Sequence, residues 1–360
     1  MRVIIAGGGT GGHLFPALSI AKALLDVDSQ AHIYFVNGGS KMDMQVMLGS
    51  GFKFTVIPAR PFRGRSIVKK IGSLWALCKG FRQSLRIIKQ ERPQVIIAVG
   101  GYAALPMGLA SRFKKIPLLL QEQNAAMGLV NGILSRFAQK IFLGLPGPEK
   151  KIGQEKCMLT GNPVRAEIIE QAAGIKRDDS LFTILVWGGS QGAESINQAL
   201  IDALPCLSRL QGPFRFIHQS GAGKLARVKE AYENNGFAAD VREFFERPGE
   251  CYASCHIVIC RAGAGSLSEM TALGRTGLCV PYPHAAGDHQ THNAHVLVNL
   301  GIMEYVDDED LNGLLVAEFI ERMRSNQPLR ELRENKALCF SHKDAARVIA
   351  NYCYQSMEHN

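Results

Sequence analysis

The sequence predicts an α/β protein of two Rossmann-like domains whose parallel sheets face one another across a cleft. Three observations carry this reading. The chain opens on an apolar run, Val3-Ile4-Ile5-Ala6, that breaks into Gly7-Gly8-Gly9-Thr10-Gly11-Gly12-His13. The same pattern restarts at Phe182-Thr183-Ile184-Leu185-Val186-Trp187, followed by Gly188-Gly189-Ser190-Gln191-Gly192-Ala193. A length of 360 residues suffices for two domains, each with its own core. Two successive βα arrays, each opening on its own glycine loop, are not the plan of a single doubly wound sheet.

The first array begins with a strand, a tight turn and a helix whose apolar rhythm runs through Leu14, Leu18, Ala21 and Leu25, with Pro16 suited to its first turn. Glycine lets the loop backbone approach a ligand, and a helix start aims N–H groups at an anion, so this loop is read as a phosphate or acyl-oxygen cradle. Gly7-x-Gly9-x-x-Gly12 also matches the dinucleotide fingerprint, but that reading needs a carboxylate ending the second strand. His32-Ile33-Tyr34-Phe35-Val36 ends instead on Asn37-Gly38-Gly39. No Gly-Lys-Ser/Thr follows, which excludes a Walker loop, and glycines that merely make a turn stay open as the alternative.

From Arg60 to Arg92 there are ten basic residues and one acid, Glu91. Ile67, Ile71, Leu74, Trp75 and Phe81 are interleaved at helical spacing, the pattern of a helix lying on an anionic membrane surface. An amphipathic helix packed on a sheet is the other reading. Nucleic acid is not expected as a partner, because no helix-turn-helix, zinc-finger or RNP pattern accompanies the charge.

Val95-Ile96-Ile97-Ala98-Val99 reads as a buried parallel strand running into Gly100-Gly101-Tyr102, and Ile116-Pro117-Leu118-Leu119-Leu120 as another that delivers Gln121-Glu122-Gln123-Asn124. Ligands gather at the carboxyl ends of such strands, so His13, Tyr102, Glu122 and Asn124 are expected to converge. Lys140-Ile141-Phe142-Leu143-Gly144 reads as a further strand. The domains are set at 1–163 and 164–343, with a last helix at about 344–360 expected, by fold analogy, to pack back on the first domain.

In the second array, strands are read at Arg215–Gln219, Ile257–Cys260 and Gly277–Pro281. Cys260-Arg261-Ala262-Gly263-Ala264-Gly265-Ser266 runs from strand into a helix placed to begin near Ser266, with Ser268 and Glu269 in its first turn. Small residues there admit phosphate oxygens to the backbone N–H groups, and Ser266 adds a hydroxyl donor. Glu269 is placed either to accept from a ribose diol or simply to favour the helix start. His284, His289, His292 and His295 cluster on one segment, but no acidic third ligand sits at zincin spacing, and the loop suits sugar hydroxyls better than a metal.

Hydrophobic residues at 46% and charged ones at 20% argue against disorder. Nine cysteines without Cys-x-x-Cys, on a chain opening directly with a strand, lead us to expect a reduced, cytoplasmic setting, with Cys251, Cys255 and Cys260 as core residues. The longest uncharged run, Pro93 to Ser111, is split by Gly100-Gly101 and Pro106 and so cannot span a bilayer as one helix. Charge is divided: residues 1–163 hold 22 Lys and Arg against 7 Asp and Glu, whereas the remainder hold 19 against 25. An anionic partner is therefore expected for the first domain.

Taken in order, Gly8–His13, Gly100-Gly101-Tyr102, Glu122-Gln123-Asn124, Gly161-Asn162-Pro163-Val164-Arg165, Gly188–Ala193 and the Gly263–Glu269 helix start with Asp288-His289-Gln290 span almost the whole chain. As a set they resemble the bacterial cell-wall undecaprenyldiphospho-muramoylpentapeptide β-N-acetylglucosaminyltransferases, the MurG family of GT-B glycosyltransferases. The resemblance implies inverting transfer of N-acetylglucosamine from UDP-GlcNAc to the muramoyl 4-hydroxyl of lipid I, giving lipid II for peptidoglycan synthesis. It implies a peripheral protein on the cytoplasmic face of the inner membrane, partnered by the anionic membrane surface and by cell-wall synthesis and division proteins.

Carried over by position, donor contacts fall on Thr10, Gly11, Gly12 and Asn124 in the first domain. In the second they fall on Arg165, Ser190, Gln290 and the stretch Ala264, Gly265, Ser266, Leu267, Ser268 and Glu269. Uracil is expected against the backbone near Phe245, where the family tends to carry a smaller aliphatic residue. The acceptor side takes His13, Tyr102 and Glu122. His13 is the candidate base, or else a residue that caps and orients its loop. The leaving UDP is expected to meet the Ser266 helix start and Arg165 or Ser190, with no metal and no cofactor. Two alternatives remain: another GT-B transferase acting on a sterol, glycolipid or different sugar lipid, and a non-catalytic nucleotide-sugar binding protein.

Overall fold

The structure, a computed structural model, describes residues 1–60, 67–189, 192–210 and 212–358. It divides into two compact units, Met1–Val164 with His342–Asn360, and Arg165–Ser341.

The first unit carries strands β1 (Arg2–Ala6), β2 (His32–Asn37), β3 (Lys53–Val56), β4 (Val95–Ala98), β5 (Leu118–Glu122), β6 (Lys140–Leu143) and β7 (Cys157–Leu159). All pair in parallel, in the order β3-β2-β1-β4-β5-β6-β7. A parallel sheet needs cover on both faces, and β1 shows how its sequence supplies it. Ile4 and Ala6 enter one core with Ile96, Ala98 and residues of α3 (Ile67–Glu91) and α4 (Ala104–Lys114). Val3 and Ile5 enter the other, with α1 (Gly11–Val27) and with Ile349, Ala350 and Cys353 of the Ala345–Glu358 helix. That last helix lies along α1, where Tyr354 Oη–H donates to the Leu24 carbonyl at 3.4 Å and Tyr352 meets Phe142 edge-on at 5.3 Å.

Pro16 sits at the sixth position of α1 and not in its first turn, buried against the sheet. Its ring replaces the N–H that would have bonded the Gly12 carbonyl, so the helix start beside the glycine loop is left with one fewer internal bond.

In the second unit β8 (Phe182–Trp187), β9 (Phe214–Gln219), β10 (Ala238–Arg242), β11 (Ile257–Cys260), β12 (Gly277–Cys279) and β13 (Met303–Tyr305) form a parallel sheet ordered β10-β9-β8-β11-β12-β13. Ile184 and Val186 pack with the Glu194–Leu207 helix, and Leu185 and Trp187 pack with Tyr252, Cys251, Cys255 and Cys260 on the opposite face. In each unit the chain reverses its direction of winding once. These switch points lie between β1 and β4, where Ala6 is in register with Ala98, and between β8 and β11, where Trp187 is in register with Cys260. Adjacent strands lead their loops in opposite directions there, which opens a crevice at the carboxyl ends.

Candidate functional site

At the β1/β4 switch point the two glycine loops touch. A Cβ on Gly7 would lie 2.4 Å from the Gly100 carbonyl oxygen, and one on Gly101 would lie 2.3 Å from that of Gly8. Only glycine permits this approach. Thr10 caps α1 in extended conformation, its carbonyl accepting from the N–H groups of His13 and Leu14, so Gly11 and Gly12 form the first turn of a helix whose positive end opens into the crevice. His13 is half-buried, with Nδ1 2.9 Å from Thr10 Oγ1, and its ring lies over Gly100, whose Cβ would meet Nε2 at 2.9 Å.

Sequence reasoning missed what holds this loop in place. Asp43 is fully buried: Oδ1 accepts from Gly9 N–H at 2.7 Å while Oδ2 accepts from Ser40 N–H at 3.1 Å. One carboxylate thus completes the capping box of α2 (Lys41–Ser50) and clamps the glycine loop, and Ser40-x-x-Asp43 was the available signal.

Glu122 is buried, and it is not presented as a reactive acceptor-side carboxylate. Oε1 accepts from Asn124 N–H and Nδ2 at 3.1 Å each, and Oε2 accepts from Gly128 N–H and Asn131 Nδ2 at 3.0 Å each. Four donors hold it, so its work is to shape the loop that carries Asn124. Tyr102 is half-buried against the α4-side core. On α3, Leu74 and Trp75 are 57% and 64% exposed, whereas Phe81 is half-buried and packs edge-on against Phe113 at 6.1 Å. Phe81 is therefore partly covered by α4, beside the exposed Phe113. Ile67 and Ile71 fall in the opening turns of α3, where side chains lie outside the described residues.

At the β8/β11 switch point a Cβ on Gly192 would meet the Ser220 carbonyl at 2.2 Å, so this loop too requires glycine. Ser190 and Gln191 lie outside the described residues. The helix after β11 runs Ala264–Ala272 with Gly263 as its cap. It starts two residues earlier than expected, because Ala264 and Gly265 continue helically from an extended Gly263. Ser266 is thus the third helical residue and Glu269 stands in the second turn, beyond the strongest part of the helix-end field. Ser268 Oγ–H donates to the Ala264 carbonyl at 2.8 Å, and Leu267 is buried in the core.

Glu269 is held by Arg165, whose Nε and Nη2 both donate to Oε1, at 3.2 and 2.9 Å. With its side chain 13% exposed, burial pushes the carboxyl up from its ordinary range, and the Arg165 guanidinium only partly offsets this. Those two Arg165 donors orient Glu269; they do not face a diphosphate. Gln219, buried at the end of β9, links two further parts: Nε2 donates to the Gly189 carbonyl at 2.6 Å and Oε1 accepts from Phe245 N–H at 3.1 Å. The Phe245 N–H is therefore committed to Gln219, and its ring is buried beside Trp187, with the Arg242 guanidinium 5.0 Å away. Gln290 Oε1 accepts from Tyr282 N–H at 2.9 Å. His289 Nδ1 turns to the Ala286 carbonyl at 2.8 Å.

Two parallel sheets, each with glycine loops and a helix N-terminus at its switch point, define a protein of two Rossmann-like halves, with a ligand crevice expected at each set of strand carboxyl ends. Residues 3–143 match the glycosyltransferase family 28 N-terminal domain and residues 183–351 its C-terminal domain. The chain belongs to glycosyltransferase family 28. It is 39% identical to a protein of Citrifermentans bemidjiense and 38% identical to one of Syntrophus aciditrophicus, each alignment covering 98% of both chains. Both relatives are named UDP-N-acetylglucosamine--N-acetylmuramyl-(pentapeptide) pyrophosphoryl-undecaprenol N-acetylglucosamine transferase. The crystal structure of Acinetobacter baumannii MurG is 26% identical and superposes with a TM-score of 0.80 over 98% of this chain and 99% of that one.

Proposed function

We propose that this glycosyltransferase moves N-acetylglucosamine from UDP-N-acetylglucosamine to the muramoyl 4-hydroxyl of lipid I, with inversion, leaving lipid II and UDP. The observation that carries the donor half is the Gly263-capped helix start beside a Glu269 carboxylate held by Arg165. The N–H groups of residues 264–266 face the diphosphate and stabilise its charge as the bond to the sugar breaks. Arg165 holds Oε1 of Glu269, and Oε2 accepts from the ribose diol. No metal enters this reading, so turnover is expected to persist in excess EDTA.

On the acceptor side, His13 in the tautomer with Nδ1–H donating to Thr10 Oγ1 carries its lone pair on Nε2. That nitrogen takes the 4-hydroxyl proton as the oxygen attacks the anomeric carbon, and UDP leaves with the bonding electrons. Transfer of labelled N-acetylglucosamine to a short-chain lipid I analogue tests both halves. His13→Ala is expected to lower kcat about 10²–10⁴-fold with donor affinity kept. Glu269→Ala is expected to raise the donor KM instead. Turnover by His13→Ala at the wild-type rate would remove the base from this mechanism.

The first unit docks, in this reading, on an anionic membrane at the cytoplasmic face. Among the described residues no helix is long and apolar enough to cross a membrane. The supporting surface is an open groove of about 600 Å³ lined by Phe81, Leu109, Arg112, Phe113 and Lys115. Phe113 is 66% exposed, and the exposed Trp75 carries Lys79 over its ring at 5.1 Å. Apolar rings flanked by cations suit the headgroup boundary. Trp75→Glu with Phe113→Glu is expected to abolish sedimentation with phosphatidylglycerol vesicles; equal binding to neutral vesicles would sink the electrostatic part.

A further inference from the structure

Arg261 follows β11 directly, at the second switch point, in a place where a cation would ordinarily be taken for a diphosphate ligand. Its contacts indicate a different use. The side chain is 14% exposed and is paired with the Asp308 carboxylate. Nη2 donates to Ser195 Oγ at 2.8 Å, and Ser195 Oγ–H donates to the same Asp308 oxygen at 2.5 Å. Nη1 also reaches the carbonyl oxygens of Val280 and Pro281, at 3.2 and 3.1 Å. One guanidinium therefore ties together the helix after β8, the end of β11, the end of β12 and the loop after β13. These four strands are neighbours in the sheet. A planar fork with several donors makes this junction possible, and a lysine ammonium could not reproduce it.

The contact to Pro281 has a specific consequence. The Pro281 carbonyl and the Tyr282 N–H belong to one peptide group; Arg261 holds its oxygen and Gln290 Oε1 holds its N–H. With Oε1 accepting from Tyr282 N–H, the remaining polar group of the Gln290 amide is its Nε2 donor pair. We propose that Arg261 is a positioning residue for donor binding, which fixes the 281–282 peptide and thereby holds Gln290 as a hydrogen-bond donor to the nucleotide-sugar without touching the donor itself. This rests on the assignment of the second unit to UDP-N-acetylglucosamine.

The test compares Arg261→Lys, Arg261→Met, Asp308→Asn and Ser195→Ala with the wild type, measuring Kd for UDP-N-acetylglucosamine by calorimetry, donor KM, kcat at saturating donor and Tm. Loss of an oriented contact predicts donor Kd and KM raised about tenfold or more in Arg261→Met and raised also in Asp308→Asn. Arg261→Lys should be intermediate, and kcat at saturation should stay within about threefold of wild type. Where Arg261→Met does not fold, the lysine and Asp308 variants carry the same comparison. A lowered Tm with unchanged donor Kd would mean a structural role only and would overturn the proposal. Tighter or unchanged donor binding in Asp308→Asn would also overturn it, since releasing the guanidinium from its carboxylate helps only if Arg261 contacts the diphosphate directly. A wild type that binds no UDP-N-acetylglucosamine would instead refute the donor assignment beneath it.

Discussion

At the scale of single residues, the first crevice depends on atoms that are absent. Gly100 has φ +94°, and a Cβ there would come within 2.8 Å of His13 Cδ2. Gly100→Ala should therefore strain the backbone by about 1–3 kcal/mol and displace the imidazole. We expect kcat to fall about 10²-fold with donor KM little changed. Gly51→Ala is the control: its φ is +76°, but its Cβ would meet nothing within 4 Å, so stability should drop while activity per folded molecule stays at the wild-type value. Glu269 makes a pH prediction. Because burial raises its carboxyl pKa, the protonated form persists to higher pH than for an ordinary glutamate, and protonation removes the acceptor that the proposed ribose contact requires. Donor KM is expected to rise on acidification already above the usual carboxylate range, and Glu269→Gln should flatten that rise; an identical pH profile for the two proteins would sink the assignment.

At the scale of elements, the second unit contains two buried histidines: His218 binds two helices to β9, and His256 binds the start of β8, accepting from Thr183 N–H at 3.0 Å. His218 on β9 lies between Asn197 Oδ1 (2.9 Å) and Tyr232 Oη (3.0 Å). Asn197 Nδ2 donates to the Ser220 carbonyl, so Oδ1 is the acceptor, Nε2 bears the proton, and Nδ1 accepts from the tyrosine. Burial pushes the His218 pKa down to about 3, and burial with the Arg177 charge pushes His256 down to about 4. Unfolded histidines bind a proton near pH 6.5, so between that pH and the folded values the unfolded state holds more protons, and stability falls as pH falls. The slope is about 1.4 kcal/mol per pH unit for each histidine in its window. Urea unfolding of this unit, followed by Trp187 fluorescence in a Trp75→Phe background, should show it, and His218→Gln should shallow the slope; an unaltered slope would refute this account. Element starts were less legible than elements. The helix after β11 begins at Ala264, where glycine at the cap left the start undefined by side-chain chemistry, and Pro16 marks the interior of α1. Continuous apolar runs such as Val95–Ala98 were readable as central strands. The strands not read at all, β3, β7, β10 and β13, are the four sheet edges. Buried on fewer sides, these edges carry weaker signals: Lys53-Phe54-Thr55-Val56 alternates over only four residues, and Ala238-Ala239-Asp240-Val241-Arg242 has neither an apolar run nor strict alternation.

At the scale of the molecule, the chain returns to its first unit at the end, and Ile349, Ala350 and Cys353 complete the core above α1. Ile349→Ala is expected to cost about 2–5 kcal/mol, with lost amide-exchange protection in α1, β1 and β2 while β8 to β13 keep theirs. Equal loss in both units would refute independent stabilisation by this helix. The sequence by itself determined the parallel α/β class, the two arrays and the glycine loops, because buried strands must be apolar throughout and close backbone approach admits only glycine. Its motif set also contained the family, which depends on residue identity and order. Only the tertiary structure decided which polar side chains face a crevice and which serve it from behind. Glu122, Ser268 and two Arg165 donors are turned to protein partners, and Asp43, Gln219 and Arg261 hold loops that they precede or follow by many residues. A hydrogen bond between side chains distant in sequence leaves no periodicity to read, since its partners are chosen by the winding of the sheet and not by their spacing in the chain.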